Sequence, residues 1–195
     1  MLKLPKPSFK AGEMSVAQAL GERRSVREFE GTDLDMQTLS RLLWAAQGIT
    51  DRKQNFRAAP SAGATYPLET YVLTASGVFH YLPGEHALQR VSDTDRRREL
   101  SSAALGQRWV AEAAVDIVFT AVYERTVERY GQRGRMYVHM EVGHAAENVL
   151  LQAVSLGLGS VPVGAFHNDK VSEVLNLPDN QTPLYIIPVG KPDRT

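Results

Sequence analysis

Three short strand-like segments, separated by tight turns, restrict this chain to a sheet with antiparallel strands. Residues 71–73, 78–81 and 87–91 have the apolar and β-branched side chains of strands, and Ser76-Gly77 and Pro83-Gly84 supply turn residues between them. Strands joined by so few residues pair antiparallel, because a parallel pair needs a crossover of about a dozen residues or more. The pattern therefore predicts a β-meander.

Helical spacing of apolar residues occurs on both sides of the meander. Ser15 is predicted to cap a first helix, in which Ala19 and Leu20 share a face. Asp33 is predicted to cap a second helix that ends at Gly48. Further helices are predicted at residues 93–105, 107–114, 136–156 and 168–176. Further strands are predicted at residues 115–123, 160–166 and 183–190, and the first of these is so apolar that it should be central.

Strands and helices are mixed without the strict alternation of a dinucleotide-binding fold. This mixture predicts the α+β class. Residues 1–13, which Pro5, Pro7 and Gly12 interrupt, are expected to form an irregular arm. No internal repeat or shift in composition divides the remainder, so we expect a single domain over residues 1–195.

The composition excludes several classes of function. Lys and Arg together number 22, as do Asp and Glu, so no global charge favours nucleic acid or an anionic membrane. The chain has no cysteine, which excludes disulfides, thiolate metal sites and cysteine nucleophiles. No signal peptide and no apolar run of about 18 residues is present, so we expect a soluble, cytoplasmic protein.

A local cluster of positive charge is nevertheless present in the stretch "ERRSVREF". Arg23, Arg24 and Arg27 could bind a phosphate with their forked guanidinium donors, and the Ser25 hydroxyl could add another donor. Arginines at the end of a helix also complement the helix dipole. Spacing alone leaves an anion site and a solvated helix end as alternatives.

Two loops of small residues could approach a ligand closely. In "AAPSAGATYP", residues 58–67, Ser61, Ala62 and Gly63 leave the backbone accessible, although a plain connecting loop has the same composition. In "LGLGSVPVGAF", residues 156–166, backbone N–H groups from Val163 onward could face a ligand, or the glycines could simply end a helix. Neither loop has the order of a Walker or dinucleotide motif.

The remaining polar residues give weaker signals. The five histidines lack the spacing of a zinc helix, so no metal site is expected. His144 is interpreted as a satisfied polar residue of a packed helix, with a role in a site as the alternative. Lys191 and Arg194 near the end of the chain are solvated charges unless this segment folds back onto an anion site.

The ordered set of these motifs resembles the nitroreductase-like FMN flavoenzymes. The stretch "RRSVREF" resembles the N-terminal signature of that superfamily, and "LLWAAQGIT" with "APSAGATYPLETYV" is similar to its SagB-type, azoline dehydrogenase-like branch. The stretch from "RYGQRGRMYVHMEVGHAAEN" to "PLYIIPVGKP" resembles the C-terminal half of that branch. The resemblance covers residues 15–192 and implies an α+β homodimer with a mostly antiparallel central sheet flanked by helices.

The resemblance also implies positions for the cofactor, with FMN bound at the subunit interface. Arg23, Arg24 and Arg27 would surround its phosphate, with Ser25 beside the ribityl chain or the ring edge. One subunit would contribute Pro60, Ser61, Ala62 and Gly63 to line the flavin of the other. Val163 and Gly164 would lie against the ring with a backbone N–H near its N5 atom, and Lys191 and Arg194 would reach the phosphate.

The activity that the resemblance implies is ping-pong oxidation of NADH or NADPH, with electron transfer to a small nitroaromatic or quinone acceptor and no catalytic side chain. Two alternatives stay open. One is a dehydrogenase that oxidises an organic substrate such as a peptide azoline, for which that branch uses a lysine–tyrosine pair; this chain has Arg129 and Tyr130 at the comparable place. The other is a protein that binds or sequesters flavin with little turnover.

Overall fold

The computed structural model describes residues 1–8 and 14–193, and within them the chain forms nine strands, seven α-helices and one short 3-10 helix at Ala62–Ala64. The strands are β1 (Leu2–Lys3), β2 (Ile49–Asp51), β3 (Phe56–Arg57), β4 (Leu68–Thr74), β5 (Gly77–Leu82), β6 (Ala87–Ser92), β7 (Val115–Ala121), β8 (Gly159–Ser160) and β9 (Thr182–Gly190). The helices are α1 (Val16–Glu22), α2 (Met36–Gln47), α3 (Arg97–Ala103), α4 (Arg108–Glu112), α5 (Glu124–Tyr130), α6 (Arg133–Ser155) and α7 (Asn168–Leu175).

Seven of the strands form one sheet in the order β1-β6-β5-β4-β7-β9-β8, and β2 and β3 form a separate hairpin. Every strand pair in the large sheet is antiparallel, which confirms the predicted meander of β4, β5 and β6. The apolar strand β7 lies between β4 and β9, and all seven of its residues are buried. The prediction that this strand is central is confirmed.

Helices cover both faces of the sheet. On one face, α2 and α6 contribute Leu42 and Val149 to a core that includes Ile117 of β7. On the other face, α3, α4 and α7 pack against the neighbouring residue of β7, Val118, with side chains that include Leu100, Val110 and Val171. Successive residues of β7 therefore pack into the cores on opposite faces of the sheet, because side chains alternate between the two faces of a strand. The fold is α+β, as predicted.

The first turns of α1 and α2 test the two predicted helix caps, Ser15 and Asp33. Ser15 accepts a hydrogen bond from the Gln18 N–H, and the Gln18 side chain accepts one from the Ser15 N–H, which makes a complete capping box. The prediction that Asp33 caps α2 is wrong, because the carboxylate of Asp35 accepts the Thr38 N–H at 2.7 Å. A capping oxygen must reach an N–H two or three residues ahead, and Asp35 has that spacing from the first turn.

The predicted irregular arm is partly regular. Leu2 and Lys3 pair with Leu88 and Ala87 of β6, and the Leu4 N–H donates to the His86 carbonyl at 3.0 Å. The apolar side chain of Leu4 is buried, which explains why this segment follows the sheet edge. The expectation of an irregular conformation at residues 9–13 lies outside the described residues.

Three other elements differ from prediction. The strand predicted at residues 160–166 is only β8, followed by an isolated bridge from Val163 to Ile186, because Pro162 has no N–H to continue a ladder. Helix α6 begins at Arg133, three residues earlier than predicted. Helix α5 was not predicted. No helix in the two described stretches combines the length and the hydropathy that crossing a bilayer requires.

Candidate functional site

The arginine-rich segment, residues 23–30, runs along one end of the sheet and is hydrogen-bonded to two other parts of the chain. The Val26 N–H donates to the Ser160 carbonyl at 3.0 Å, and Ser25 and Ser160 form a parallel bridge. The Glu30 N–H donates to the Lys191 carbonyl at 3.0 Å. The fold thereby brings the predicted Arg23–Arg27 and Lys191 positions together with the loop that follows β8. Arg194 lies outside the described residues.

Two glycines make this close approach possible. A Cβ atom built at Gly159 would lie 2.7 Å from the Cβ of Val26, and one built at Gly190 would lie 3.0 Å from the Phe29 ring. Real Cβ atoms do not come so close to the branched Val26 side chain, so a larger residue at position 159 would push the arginine-rich segment away from the sheet. These glycines at the ends of β8 and β9 therefore set the position of the segment.

The three guanidinium groups of the segment take different directions. Arg23 lies 3.7 Å from a carboxylate oxygen of Glu147 on α6, whereas Arg27 lies 5.5 Å from the centre of the Trp109 ring on α4. Arg24 donates to the carbonyls of Gly21 and Arg23. The Arg23–Glu147 pair is partly solvated and long, so it contributes little, about 0–1 kcal/mol. Arg23 and Arg27 thus contact helices on opposite faces of the sheet.

Two cations of this region have no carboxylate partner among the described residues. Over residues 1–8 and 14–193, neither Arg27 nor Lys191 forms an ion pair with a carboxylate. Both residues are exposed. An anion would therefore meet two accessible cations near one end of the sheet.

The loop after β8 offers free backbone donors beside the segment. The Val163 N–H is already used, because it donates to the Ile186 carbonyl at 2.8 Å. Gly164 and Ala165 are exposed, and their N–H groups have no partner in the described part of the chain. The Gln107 side chain donates to the Ala165 carbonyl at 2.9 Å and anchors the loop. The predicted hydrogen bond from this backbone to a ligand would therefore come from the N–H groups of Gly164 and Ala165.

The second predicted loop, Pro60 to Gly63, lies elsewhere, against α5 and α6. Arg129 of α5 donates to the Gly63 carbonyl at 3.0 Å. Gly63 has a φ of +59°, and a Cβ atom there would lie 2.5 Å from the Tyr130 hydroxyl. No hydrogen bond between described residues joins this loop to the arginine-rich segment. The structure therefore separates the predicted site residues of one chain into two groups.

Backbone strain is concentrated directly after Gly63. Ala64 and Tyr66 have φ values of +54° and +46°, which non-glycine residues rarely adopt. Each such residue costs on the order of 1–3 kcal/mol, and the surrounding structure must enforce it. Here Arg125 donates to the Tyr66 carbonyl at 3.0 Å, and Thr126 bonds to the Thr65 hydroxyl at 2.8 Å. Helix α5 thus holds the loop in a strained shape, and sequence reasoning missed this because α5 was not predicted.

Beneath the loop lies a buried carboxyl group, Glu141 of α6. Glu141 is 2% exposed, and its Oε1 atom has no hydrogen-bond partner in the described part of the chain. Burial raises the pKa of this carboxyl to about 7, against the smaller opposing effects of a hydrogen bond with Ser61 and of the Arg57 charge. The signal in the sequence is a lone acidic residue on an apolar helix face, beside Val138, Val142 and Ala145.

A cavity of about 270 Å³ lies between the loop and this part of α6. Its lining comes from the loop and from one stretch of α6: Pro60, Ser61, Ala62, Tyr137, Met140, Glu141 and His144. His144 is exposed at this cavity and does not belong to a packed interior, contrary to its interpretation from sequence. No group of three or more His, Asp or Glu side chains in the described residues could hold a metal ion.

Comparison with known proteins identifies the family. The model of the nitroreductase family matches residues 20–191. The Methanocaldococcus jannaschii protein named "Putative nitroreductase MJ1384" is 45% identical over 185 residues, which cover 92% of this chain and 92% of that one. A crystal structure of a "putative nitroreductase" from Ralstonia eutropha JMP134 is 30% identical with a TM-score of 0.90, and the match covers 100% of this chain and 90% of the other.

Two other relatives match less of the chain. The NADPH-flavin oxidoreductase of Vibrio harveyi is 34% identical over 116 residues, which cover 55% of this chain and 48% of that protein. The Microcin B17-processing protein McbC of Escherichia coli is 29% identical over 160 residues, which cover 74% of this chain and 57% of that protein. The chain spans about half the length of these two relatives. The family match over residues 20–191 and the shared fold show that the chain belongs to the nitroreductase family of oxidoreductases.

Proposed function

We propose that the protein is an FMN-dependent oxidoreductase that oxidises NADH or NADPH and reduces a small acceptor of the nitroaromatic or quinone type. The observation that carries this proposal is the arginine-rich segment beside the loop after β8. There Arg27 and Lys191 are exposed and form no ion pair with a described carboxylate, and the loop after β8 adds the free N–H groups of Gly164 and Ala165. Relatives named NADPH-flavin oxidoreductase and FMN reductase support the choice of cofactors.

The residues present fit FMN. Its phosphate carries about two negative charges at neutral pH, which more than one cation is needed to balance. Arg23, Arg27 and Lys191 supply these charges, and Arg23 can leave its weak pair with Glu147 at little cost. The free Gly164 N–H would donate to the ring. When bound, FMN supplies the redox chemistry, by taking a hydride from the nicotinamide and passing electrons to the acceptor.

The chain's own residues would bind and orient the flavin. None of them is proposed as a catalytic acid or base on the ring. Backbone donors fixed by the Val163–Ile186 bridge cannot reorient, so they would face the ring in the geometry that the sheet imposes. Trp109, beside Arg27, restricts that guanidinium to one side of the site. Positioning of this kind is the contribution that a protein makes around a redox cofactor.

We also propose that the working form is a homodimer. Helix α6 exposes Met136 and Met140, at 38% and 49% of their surfaces, next to the cavity lined by Pro60, Ser61 and Ala62. A second copy packed on this face would cover the two methionines, and the loop 60–63 of one subunit would then line the flavin of the other. This arrangement accounts for the separation of the two groups of site residues within one chain.

One observation bears on the azoline dehydrogenase alternative, which the similarity to McbC favours. The guanidinium of Arg129 is committed to the Gly63 carbonyl. A guanidinium is a very weak general base, so Arg129 is unsuited to removing a proton from a substrate. We therefore place oxidation of an organic substrate second, and flavin binding without turnover third.

Purification followed by anaerobic titration tests the proposal. The protein should bind FMN with the yellow absorbance of a flavin, and NADH or NADPH should bleach it until a quinone or nitroaromatic restores the colour. The double variant R23A/R27A should lose FMN, by about tenfold or more for each arginine, because each charged hydrogen bond contributes about 1.5–3 kcal/mol. R98A, which removes an exposed arginine on α3, should bind FMN like the parent.

The contrary outcomes separate the alternatives. If neither NADH nor NADPH bleaches bound FMN, flavin binding without turnover would be favoured. If an organic donor bleaches it instead, oxidation of an organic substrate would be favoured. FMN held as tightly by R23A/R27A as by the parent would refute the assignment of the arginine-rich segment.

A further inference from the structure

A group of arginine and tyrosine side chains lies where α5 meets α6, and the proposed function gives the group no role. The guanidinium of Arg129 lies 5.5 Å from the centre of the Tyr130 ring, and that of Arg133 lies 5.8 Å from the centre of the Tyr137 ring. The two rings meet edge to face, with 5.2 Å between their centres. Arg129, Tyr130, Tyr137 and Arg133, called the Arg–Tyr cluster below, are therefore linked in that order, with a cation at each end.

The two cations of the Arg–Tyr cluster are available to an anion. Within residues 1–8 and 14–193, neither Arg129 nor Arg133 forms an ion pair, although Glu124 and Glu128 lie on α5 as well. Both arginines are exposed. The bond from Arg129 to the Gly63 carbonyl uses only one of the several N–H donors of a guanidinium. The cluster therefore keeps forked donors that no acidic side chain of the described chain occupies.

The Arg–Tyr cluster adjoins the loop that we propose to line the flavin. Arg129 bonds to Gly63 at the end of that loop, and Tyr137 lines the same cavity of about 270 Å³ as Pro60 and Ala62. A nicotinamide ring must lie against the flavin to transfer its hydride, so the rest of the dinucleotide has to extend over the neighbouring surface. The cluster lies on that surface.

NADPH and NADH differ in one group, the 2′-phosphate at the adenosine end of NADPH. Such a phosphate carries about two negative charges near neutral pH. Guanidinium groups bind phosphate oxygens through paired N–H donors, and they also stack on aromatic rings. Tyrosine rings can stack on the adenine base next to the phosphate. The cluster thus provides both kinds of contact for the adenosine end of NADPH, whereas NADH could use only the rings.

We propose that the Arg–Tyr cluster binds the 2′-phosphate of NADPH and makes NADPH the preferred electron donor. The inference rests on the proposed function, since that function supplies the nicotinamide and the flavin. Arg133 is the main phosphate contact, because within the described chain it stacks on Tyr137 and donates no hydrogen bond, whereas Arg129 also holds the loop. Arg135, the next arginine of α6, lies over the Tyr123 ring at 4.3 Å and is outside the cluster.

Anaerobic stopped-flow reduction of the full, FMN-loaded chain tests the proposal. In the parent, the second-order rate constant with NADPH should exceed that with NADH by about tenfold or more, the effect of a charged hydrogen bond. R133A should lose most of this ratio, because NADH has no 2′-phosphate contact to lose. R133K keeps the charge without the fork and should retain part of the ratio. R98A, at an exposed arginine on α3, should keep the ratio of the parent.

A binding measurement gives a second readout that needs no turnover. In calorimetry, adenosine 2′,5′-bisphosphate should bind the parent about tenfold or more tightly than adenosine 5′-monophosphate, which lacks the 2′-phosphate. R133A should bind the two nucleotides with similar, weak affinity, and R98A should discriminate between them like the parent.

The contrary outcomes distinguish this inference from the proposed function. If NADH reduces the bound FMN as fast as NADPH does, the inference is overturned and the proposed function stands. The parental ratio in R133A, or equal binding of the two nucleotides by the parent, would also overturn the role of the Arg–Tyr cluster. If neither donor reduces bound FMN, the proposed function is refuted and the inference falls with it.

Discussion

Asp116, the second residue of β7, is a buried acid in the core of the sheet. Its side chain is fully buried, and neither carboxylate oxygen has a hydrogen-bond partner among residues 1–8 and 14–193. Burial raises the pKa of Asp116 well above its ordinary value, and the Arg97 charge opposes this only in part. The folded chain thus holds Asp116 protonated, or ionised at a cost.

Replacing Asp116 with asparagine should stabilise the protein at neutral pH. For an acid whose pKa is raised by folding, stability falls as the pH rises from the unfolded value of 3.8 towards the folded one. D116N removes that loss, so its gain in the free energy of unfolding should be small near pH 4 and should grow towards pH 7. Urea unfolding at several pH values measures it. D179N, at an exposed aspartate, should show no such trend; an equal gain in both variants would contradict the explanation.

At the residue scale, the sequence marks the candidate site positions that local composition defines and leaves unmarked those that depend on distant neighbours. Arg27, Ser61 and Gly164 stand out because charge or small size marks them in their own stretch. Glu141 does not, because its properties arise from burial beneath a loop far away in the sequence. Such burial is a property of the folded chain.

At the scale of elements, α5 acts as a brace for the loop that follows Gly63. Thr126 is 1% exposed, and its hydroxyl bonds to that of Thr65. The T126V substitution keeps the shape of the side chain and removes this bond. We expect a loss of about 1 kcal/mol in the free energy of unfolding. We also expect faster hydrogen exchange at the amides of residues 63–66, because the strained conformation loses one of its restraints.

Hydrogen exchange followed by mass spectrometry checks this expectation. T94V serves as the matched control, since Thr94 is exposed beyond β6 and away from the loop. Unchanged exchange in T126V would mean that the bonds from Arg125 and Arg129 hold the loop without Thr126.

Elements with strong periodicity were predicted well, and short elements held by tertiary contacts were not. Turn residues predict the β-meander, and the spacing of apolar residues predicts α2. Helix α5 has seven residues and no side-chain cap, so little within "ERTVERY" favours a helix locally. Its contacts with the loop and with α6 stabilise it, and these contacts do not exist until the chain folds.

At the scale of the whole molecule, the exposed face of α6 gives the proposed homodimer a direct test. M140E places a charge at a position that is 49% exposed in one chain and would be buried between two. The variant should sediment as a monomer and lose FMN, with the secondary structure of the parent retained by circular dichroism. L105E introduces the same charge at an exposed leucine after α3 and should remain dimeric. A dimeric M140E would place the interface elsewhere.

The fold class could be predicted for the whole molecule, but the order of its strands could not. Turns determine that β4, β5 and β6 are neighbours, because each turn leaves too few residues for another arrangement. Nothing local determines that β7 lies between β4 and β9. The place of β7 in the sheet depends on which strands meet when the two layers of helices pack. The connections between these strands are long, so they do not determine it.

The position of β7 has a consequence for synthesis on the ribosome. One edge of this strand pairs with β4, which is made earlier, and the other pairs with β9, as in the register of Val115 with Val189. Until the residues up to 190 have emerged, a nascent chain carries a largely apolar strand with one open edge. Open apolar edges recruit other chains. The strand that is buried along its whole length in the finished protein is therefore one whose edge a chaperone would have reason to shield.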